Sequence, residues 1–186
     1  RKKVAAQALT LCLAVFGGWT ALQTAPAKYM LADYRTAVGE QRVSELDDHS
    51  RITLNTHSAI DVDYSGKQRR ITLQQGEILV EVAKDSTRPF IVETEHGTAR
   101  ALGTQYLVKR EEEGTRVTVI ESTVEACAAI VSACVTLAPG EQTVVTPDAV
   151  QEPSRVNAEA SASWSKHMLV VDDQPLAQVL QELARY

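Results

Sequence analysis

The amino-acid sequence describes a mainly β chain, with one membrane-spanning helix at the N-terminus, an all-β body, and the start of a small α+β module at the C-terminus. Three observations lead there. From Tyr34 to Val145, short segments of alternating apolar and polar residues follow one another, broken at close intervals by turn residues. Ahead of them, Val4 to Leu22 is a charge-free apolar run behind a basic triplet. Behind them, and only after Pro175, apolar residues recur at helical spacing.

With 186 residues the chain has room for one domain with appendages. A net charge of −5, with no Lys/Arg cluster beyond residue 3, argues against a nucleic-acid partner, because a surface that tracks phosphates is basic. Residues 1–3 are expected to form a cytoplasmic edge, 4–24 a transmembrane helix and 25–33 a linker. At about 1.5 Å per residue, Val4 to Leu22 spans about 28 Å, close to the roughly 30 Å of a bilayer's hydrocarbon. Arg1-Lys2-Lys3 precedes the run and only Lys28 and Arg35 follow closely, so the positive-inside bias leaves the body outside the inner membrane. The competing reading is a cleaved signal peptide ending near Ala25-Pro26-Ala27; the length of the run and Pro26 beside the cut favour an anchor. Both readings place the body in the same compartment.

That compartment bears on the cysteines. Cys12 lies in the apolar run and reads as a small buried hydrophobe. Cys127 and Cys134 flank an apolar link, and in an oxidising space they either close a short loop, contributing about 2 to 3 kcal/mol, or remain two buried thiols. A Cα separation within about 7 Å decides between the two.

The body is expected over 34–146. Its strands are Tyr34 to Val38, Arg51 to Asn55, Ala59 to Tyr64, Arg69 to Leu73, Glu77 to Val82, Phe90 to Thr94, Thr104 to Arg110, Arg116 to Ile120, Thr123 to Ala126, Val135 to Leu137 and Gln142 to Val145. Turn signals at Ser65-Gly66-Lys67, Glu111 to Gly114 and Pro139-Gly140 separate them. Such spacing suits a sandwich, a jelly roll or a short β-solenoid. Residues 147–163, rich in Pro, Ala and Ser, read as a linker. Over 164–186, Met168 to Val171 reads as a strand and Asp172-Asp173 as a turn. Pro175 can open a helix whose stripe is Leu176, Val179, Leu180 and Leu183. Packing of that stripe would leave Gln178, Gln181 and Arg185 outward.

One stretch carries chemistry of its own, Thr98 to Val108, with Gly103-Thr104 at its centre. Glycine permits a bulge or a close backbone approach, and the threonine hydroxyl sits beside the preceding carbonyl, so the pair is either mechanical or reactive. Other chemistry is thin. His49, His57, His96 and His167 are scattered and show no ligand spacing, Asp61 and Asp63 read as the solvated side of a strand, and Glu111 to Glu113 as a solvated turn. No nucleophile elbow, phosphate loop or dinucleotide fingerprint occurs. No cofactor, metal or turnover chemistry is expected.

In order along the chain, Gly39-Glu40, Leu46-Asp-Asp-His-Ser-Arg-Ile-Thr-Leu-Asn55, Gly76-Glu77, Arg88-Pro-Phe-Ile-Val92, Leu102-Gly-Thr-Gln-Tyr-Leu-Val108, Val117-Thr-Val-Ile-Glu121, Leu137-Ala-Pro-Gly-Glu-Gln142, Trp164 and Asp173-Gln-Pro-Leu176 to Tyr186 resemble the FecR family. The resemblance implies a single-pass inner-membrane anti-sigma regulator with a periplasmic body, which senses an outer-membrane, TonB-dependent iron or siderophore transporter through that transporter's signalling domain. It also implies a sigma-factor-binding domain before Arg1 and a secretin/TonB-type short module continuing beyond Tyr186, with Gln178, Gln181 and Arg185 on the partner-facing side. Some family members cleave themselves between the residues that match Gly103 and Thr104, by an N-to-O acyl shift from the Thr104 hydroxyl; Gly97-Thr98 and Gly114-Thr115 lack the same setting. The chain departs from the family by carrying His49, Ser122 and His167 where glycine is usual. A reading from a different class remains beside this one: an anchored periplasmic β module that binds an envelope polymer without signalling.

Overall fold

The computed structural model describes residues 24–171 and 175–186; the expected span over 4–24, Cys12 with it, lies outside the described residues apart from Thr24. Among the described residues no helix is long and apolar enough to cross a membrane. A short helix α1, Ala25–Leu31, occupies most of the expected linker, with Pro26 early in its first turn.

Among the described residues fifteen strands follow, the first six being β1 Tyr34–Arg35, β2 Arg42–Glu45, β3 Arg51–Leu54, β4 Ala59–Tyr64, β5 Arg69–Gln75 and β6 Glu77–Glu81. Then come β7 Phe90–Glu93, β8 Gly97–Ala101, β9 Gln105–Arg110, β10 Thr115–Glu121 and β11 Val124–Ala128. The last are β12 Cys134–Leu137, β13 Glu141–Thr146, β14 Ala149–Val150 and β15 Ser154–Arg155. One sheet runs β1-β4-β5-β7-β8-β11-β12 and the other β14-β13-β10-β9-β6-β3-β2, with β15 on β13. The β5–β7 pair is parallel, while the pairs around it are antiparallel. Neither sheet closes on itself. The fold is a sandwich in which hairpins alternate between layers, which brings the sequence-adjacent pairs into place through short crossings.

Alternation decides which residues fill the space between layers. Ile52, Leu54, Ile78, Val80, Tyr106, Val108, Val117 and Val119 from one sheet meet Ile60, Ile71, Leu73, Phe90, Val92, Ala99, Ala101, Val124 and Ala126 from the other. Within the expected body, 34–146, β2 and β8 have no counterpart among the sequence-predicted segments. In β8 the inward residues are Gly97, Ala99 and Ala101, too small to register as an apolar stripe although they alternate faithfully. In β2 only Ser44 is buried, so the strand carries no apolar face at all.

Gly76 makes the tightest crossing, a single residue between β5 and β6 at φ 86°, where a Cβ would fall 2.2 Å from Ser58 Oγ. The three positions where this chain lacks the expected glycine all turn out to be left-handed: His49 at φ 64°, Ser122 at 63° and His167 at 57°. His57 joins them at 49°. A side chain in that region costs roughly 1 to 2 kcal/mol, so Ser122→Gly, at the crossing from β10 to β11, is expected to raise the unfolding free energy by about 1 kcal/mol. Urea denaturation checks it, and an unchanged midpoint would mean the local backbone carries no strain.

The end of the chain differs from the expectation. Residues of the expected linker form β14, β15 and a helix α2, Ala158–Ser161, capped by the Asn157 side chain on the Ala160 amide. The 3-10 turn Ser163–Lys166 that follows sets Trp164 and Ala162 on Leu79 and Leu107, on the outer face of the second sheet. β6 is therefore covered on both faces. Met168 to Val171, expected as a strand, is irregular and about half exposed, with the Met168 and Val170 amides donating to Ser163 instead of to a strand.

Candidate functional site

Gly103-Thr104 forms the crossing from β8 in one sheet to β9 in the other. Gly103 has φ 157°, and a Cβ there would lie 2.8 Å from Lys84 Cγ, so glycine is required both by conformation and by space. Thr104 is buried at 6 % exposure, and its Oγ1 has no hydrogen-bond partner. A buried hydroxyl without a partner is uncommon, and here nothing draws it away from the adjacent Gly103 carbonyl. The other Gly-Thr pairs differ. Thr115 Oγ1 is already engaged by Thr94 Oγ1 at 2.8 Å and His96 Nδ1 at 3.0 Å, and Thr98 stands within β8, opposite Cys127.

The crossing leans on a second one, residues 82–89 between β6 and β7. The Val82 amide donates to the Thr104 carbonyl at 2.9 Å and the Asp85 amide to the Leu102 carbonyl at 3.3 Å. Asp85 in turn shapes its own turn by accepting from Thr87 and Arg88, which together hold its carboxyl well below the usual range. Open grooves lie on either side of the peptide. One is bordered by His49, Arg51 and Glu121, the other by Arg100, Ser122 and Thr123.

Behind residues 82–89 sits a charge that the sequence reading did not single out. Arg69, with its side chain fully buried, donates to Asp48 at 2.6 Å, to the Ala83 carbonyl at 3.0 Å, and to the Arg88 carbonyl through Nε and Nη2 at 3.2 and 2.8 Å. Its guanidinium also lies over the Phe90 ring, 5.5 Å from the centroid. Asp48 accepts further bonds from Ser50 and from the Tyr64 hydroxyl. Burial pushes the Asp48 carboxyl up, but the bonds from Ser50, Arg69 and Tyr64 outweigh it and leave it below the ordinary range. Burial, and then the bond to Asp48, push the Tyr64 hydroxyl upward. The available signal was Arg69-Arg70 opening a strand: an arginine at an inward position, which alternation alone reads as a register error.

Cys127 and Cys134 stand directly opposite each other on β11 and β12, with Cα atoms 4.1 Å apart, and are joined by a disulfide. Their end of β11 is the far one from Gly103, since Cys127 pairs with Thr98 whereas Glu125 pairs with Arg100.

The terminal helix α3, Leu176–Leu183, docks the opposite way round from expectation. Its stripe residues Leu176, Leu180 and Leu183 are exposed, and the helix contacts the second sheet through polar groups. Lys109 bonds Glu182 at 2.9 Å, Arg185 bonds Glu77 at 2.8 Å as well as Glu182, and the Tyr186 hydroxyl donates to Asn55. Arg185 is thus partly buried against Glu77 and Glu182, while Gln178 and Gln181 stay exposed along a groove of about 670 Å³ shared with Arg116 and Trp164. Burial raises the Glu182 carboxyl but Lys109 and Arg185 hold it below the usual range. A depressed folded value adds stability above the unfolded pKa of about 4.3, and that stability is lost as pH falls through the folded value. Acidification below pH 4 is therefore expected to release α3, with a change of about 1 kcal/mol or less for a partly exposed pair. Amide exchange of Leu180 to Ala184 reads it, and exchange that is constant down to pH 3 would contradict it.

Hairpins dealt alternately to two open sheets, a Gly-Thr crossing with its threonine buried and a tryptophan-anchored tail make up a β-sandwich body. The family described as FecR protein matches residues 32–125, slightly more than half of the chain, and the chain belongs to that family. Two crystal structures of a proposed anti-sigma factor from Parabacteroides distasonis ATCC 8503, at 1.65 Å and 2.50 Å resolution, share its fold. Each is 24% identical; the alignments cover 82% of this chain and 73% or 72% of the other, with TM-scores of 0.72 and 0.71. A search of curated proteins gives no match.

Proposed function

We propose that this chain is the periplasmic body of an inner-membrane anti-sigma regulator, which relays occupancy of an outer-membrane siderophore or iron transporter to a cytoplasmic sigma factor. The observation that carries the reading is the FecR match over the β body. The description of the structural neighbour as a proposed anti-sigma factor agrees with it. In this reading the apolar run Val4 to Leu22 is the anchor, and the transporter's signalling domain meets the terminal segment, where Leu176, Leu180 and Leu183 lie exposed beside Gln178 and Gln181. Exposed leucines at helical spacing suit a partner that buries them. The polymer-binding alternative has less to rest on, because Phe90, Tyr106 and Trp164 are buried and not available for stacking.

Self-cleavage at Gly103-Thr104 would prepare the relay. The Thr104 hydroxyl adds to the Gly103 carbonyl carbon, the C–N bond breaks as nitrogen takes the proton, and an ester replaces the amide. Water then hydrolyses the ester, leaving a Gly103 carboxylate and a free Thr104 amine. Attack within one residue needs no encounter, so proximity is built in. The fragments would stay together, because β8 and β9 contribute Ala99, Ala101, Tyr106 and Val108 to one core.

The test of the relay is genetic. Deleting the gene should change transcription of one sigma-dependent transporter operon under iron limitation, and restoring it should restore the response. No iron-linked change in any sigma-dependent transcript would overturn the reading.

A further inference from the structure

A fully buried arginine needs a reason. Desolvating an ion pair commonly costs as much as the attraction returns, so a buried pair such as Arg69–Asp48 is weak evidence of stabilisation by itself. What the pair does in this fold is geometric. The planar fork of Arg69 reaches two carbonyls five residues apart, Ala83 and Arg88, and so clasps both ends of the 82–89 crossing. Ser50 Oγ holds the Ala83 amide at 3.0 Å from the same side and is itself bonded to Asp48. The clasped segment presents the Val82 and Asp85 amides to the carbonyls on either side of Gly103, and Lys84 to Gly103 itself.

We propose, resting on the self-cleavage reading, that Arg69, Asp48 and Ser50 are positioning residues for the Gly103-Thr104 bond: they fix residues 82–89, which fix the tilt of the scissile peptide against the Thr104 hydroxyl. Arg69→Lys keeps the charge and the partner Asp48 but cannot span both carbonyls. Ser50→Ala removes one anchor with little change of volume. A misplacement of order 1 Å at a reacting centre costs up to about a hundred-fold in rate, so both variants are expected to slow fragment formation by about ten- to a hundred-fold at temperatures well below melting.

The experiment follows the full chain, tagged at both ends, by denaturing gel against time, with amide exchange at Val82 and Asp85 as a second readout. The Cys127→Ser/Cys134→Ser variant serves as control, since it removes the disulfide at the far end of β11. The proposal stands if Arg69→Lys and Ser50→Ala slow cleavage and speed exchange at Val82 and Asp85, while a control of similar or lower melting temperature cleaves at the wild-type rate. Slowing in the control to the same degree would make the effect one of stability alone and overturn the proposal. Wild-type cleavage rates in both clasp variants would overturn it too, leaving self-cleavage untouched. A wild-type chain that stays intact would remove self-cleavage, and with it the positioning role, whatever the exchange shows.

Discussion

Thr104→Ala is expected to leave one intact chain on a denaturing gel where the wild type gives two fragments, of residues up to Gly103 and from Thr104 onward. The effect should be complete within detection, because the alanine methyl group occupies the β-carbon site but offers no oxygen to attack the carbonyl. Thr104→Ser keeps the hydroxyl and should still cleave, at a rate changed by the freer rotation of an unbranched side chain. Folding should survive either change, since Thr104 Oγ1 makes no hydrogen bond that alanine would break. Equivalent alanine changes at Thr98 and Thr115 test the location. Thr115→Ala should leave cleavage intact and cost stability instead, because it strips His96 and Thr94 of a buried partner. Two fragments from Thr104→Ala, or none from the wild type, would remove the acyl shift.

Much of the sandwich was legible because its inner faces obey a period of two. Ile71 and Leu73, Phe90 and Val92, and Val117 and Val119 are alternate residues, and each pair is buried. Strands without an apolar face escape that test, as β2 and the alanine-lined β8 show. The departures from glycine at His49, Ser122 and His167 were plain in the sequence, and each of the three residues adopts the left-handed conformation that glycine favours. At the candidate site, the sequence pointed to Gly103-Thr104 but not to what surrounds it. Arg69, Asp48 and residues 82–89 are joined only by folding, across 35 residues or more of chain between Asp48 and Ala83, and no local spacing records such a clasp. The terminal helix shows the opposite failure. Its stripe was plain, but a stripe states only that something buries it, and among the described residues the β body meets the helix by its polar side.

The clasp also carries the largest expected stability effect. Asp48→Ala leaves the Arg69 guanidinium buried and uncompensated, which typically costs about 3 to 5 kcal/mol. A double change, Asp48→Ala with Arg69→Met, removes the stranded charge and should recover part of that loss. Recovery should be incomplete, since the Ala83 and Arg88 carbonyls then lose their donors, at about 1 to 3 kcal/mol for each buried group left unsatisfied. The ordering wild type, double variant, single variant in urea midpoint is the signature of a pair retained for what it holds; a double variant as stable as the wild type would show that the carbonyls find other partners and that the clasp holds nothing. Acid gives an independent check. Because the Asp48 carboxyl is held below its ordinary value, its contribution is fully present above the unfolded pKa of about 3.9 and is lost as pH falls through the folded value. The wild type should therefore lose stability below pH 4 more steeply than the double variant, which has no carboxylate there to protonate.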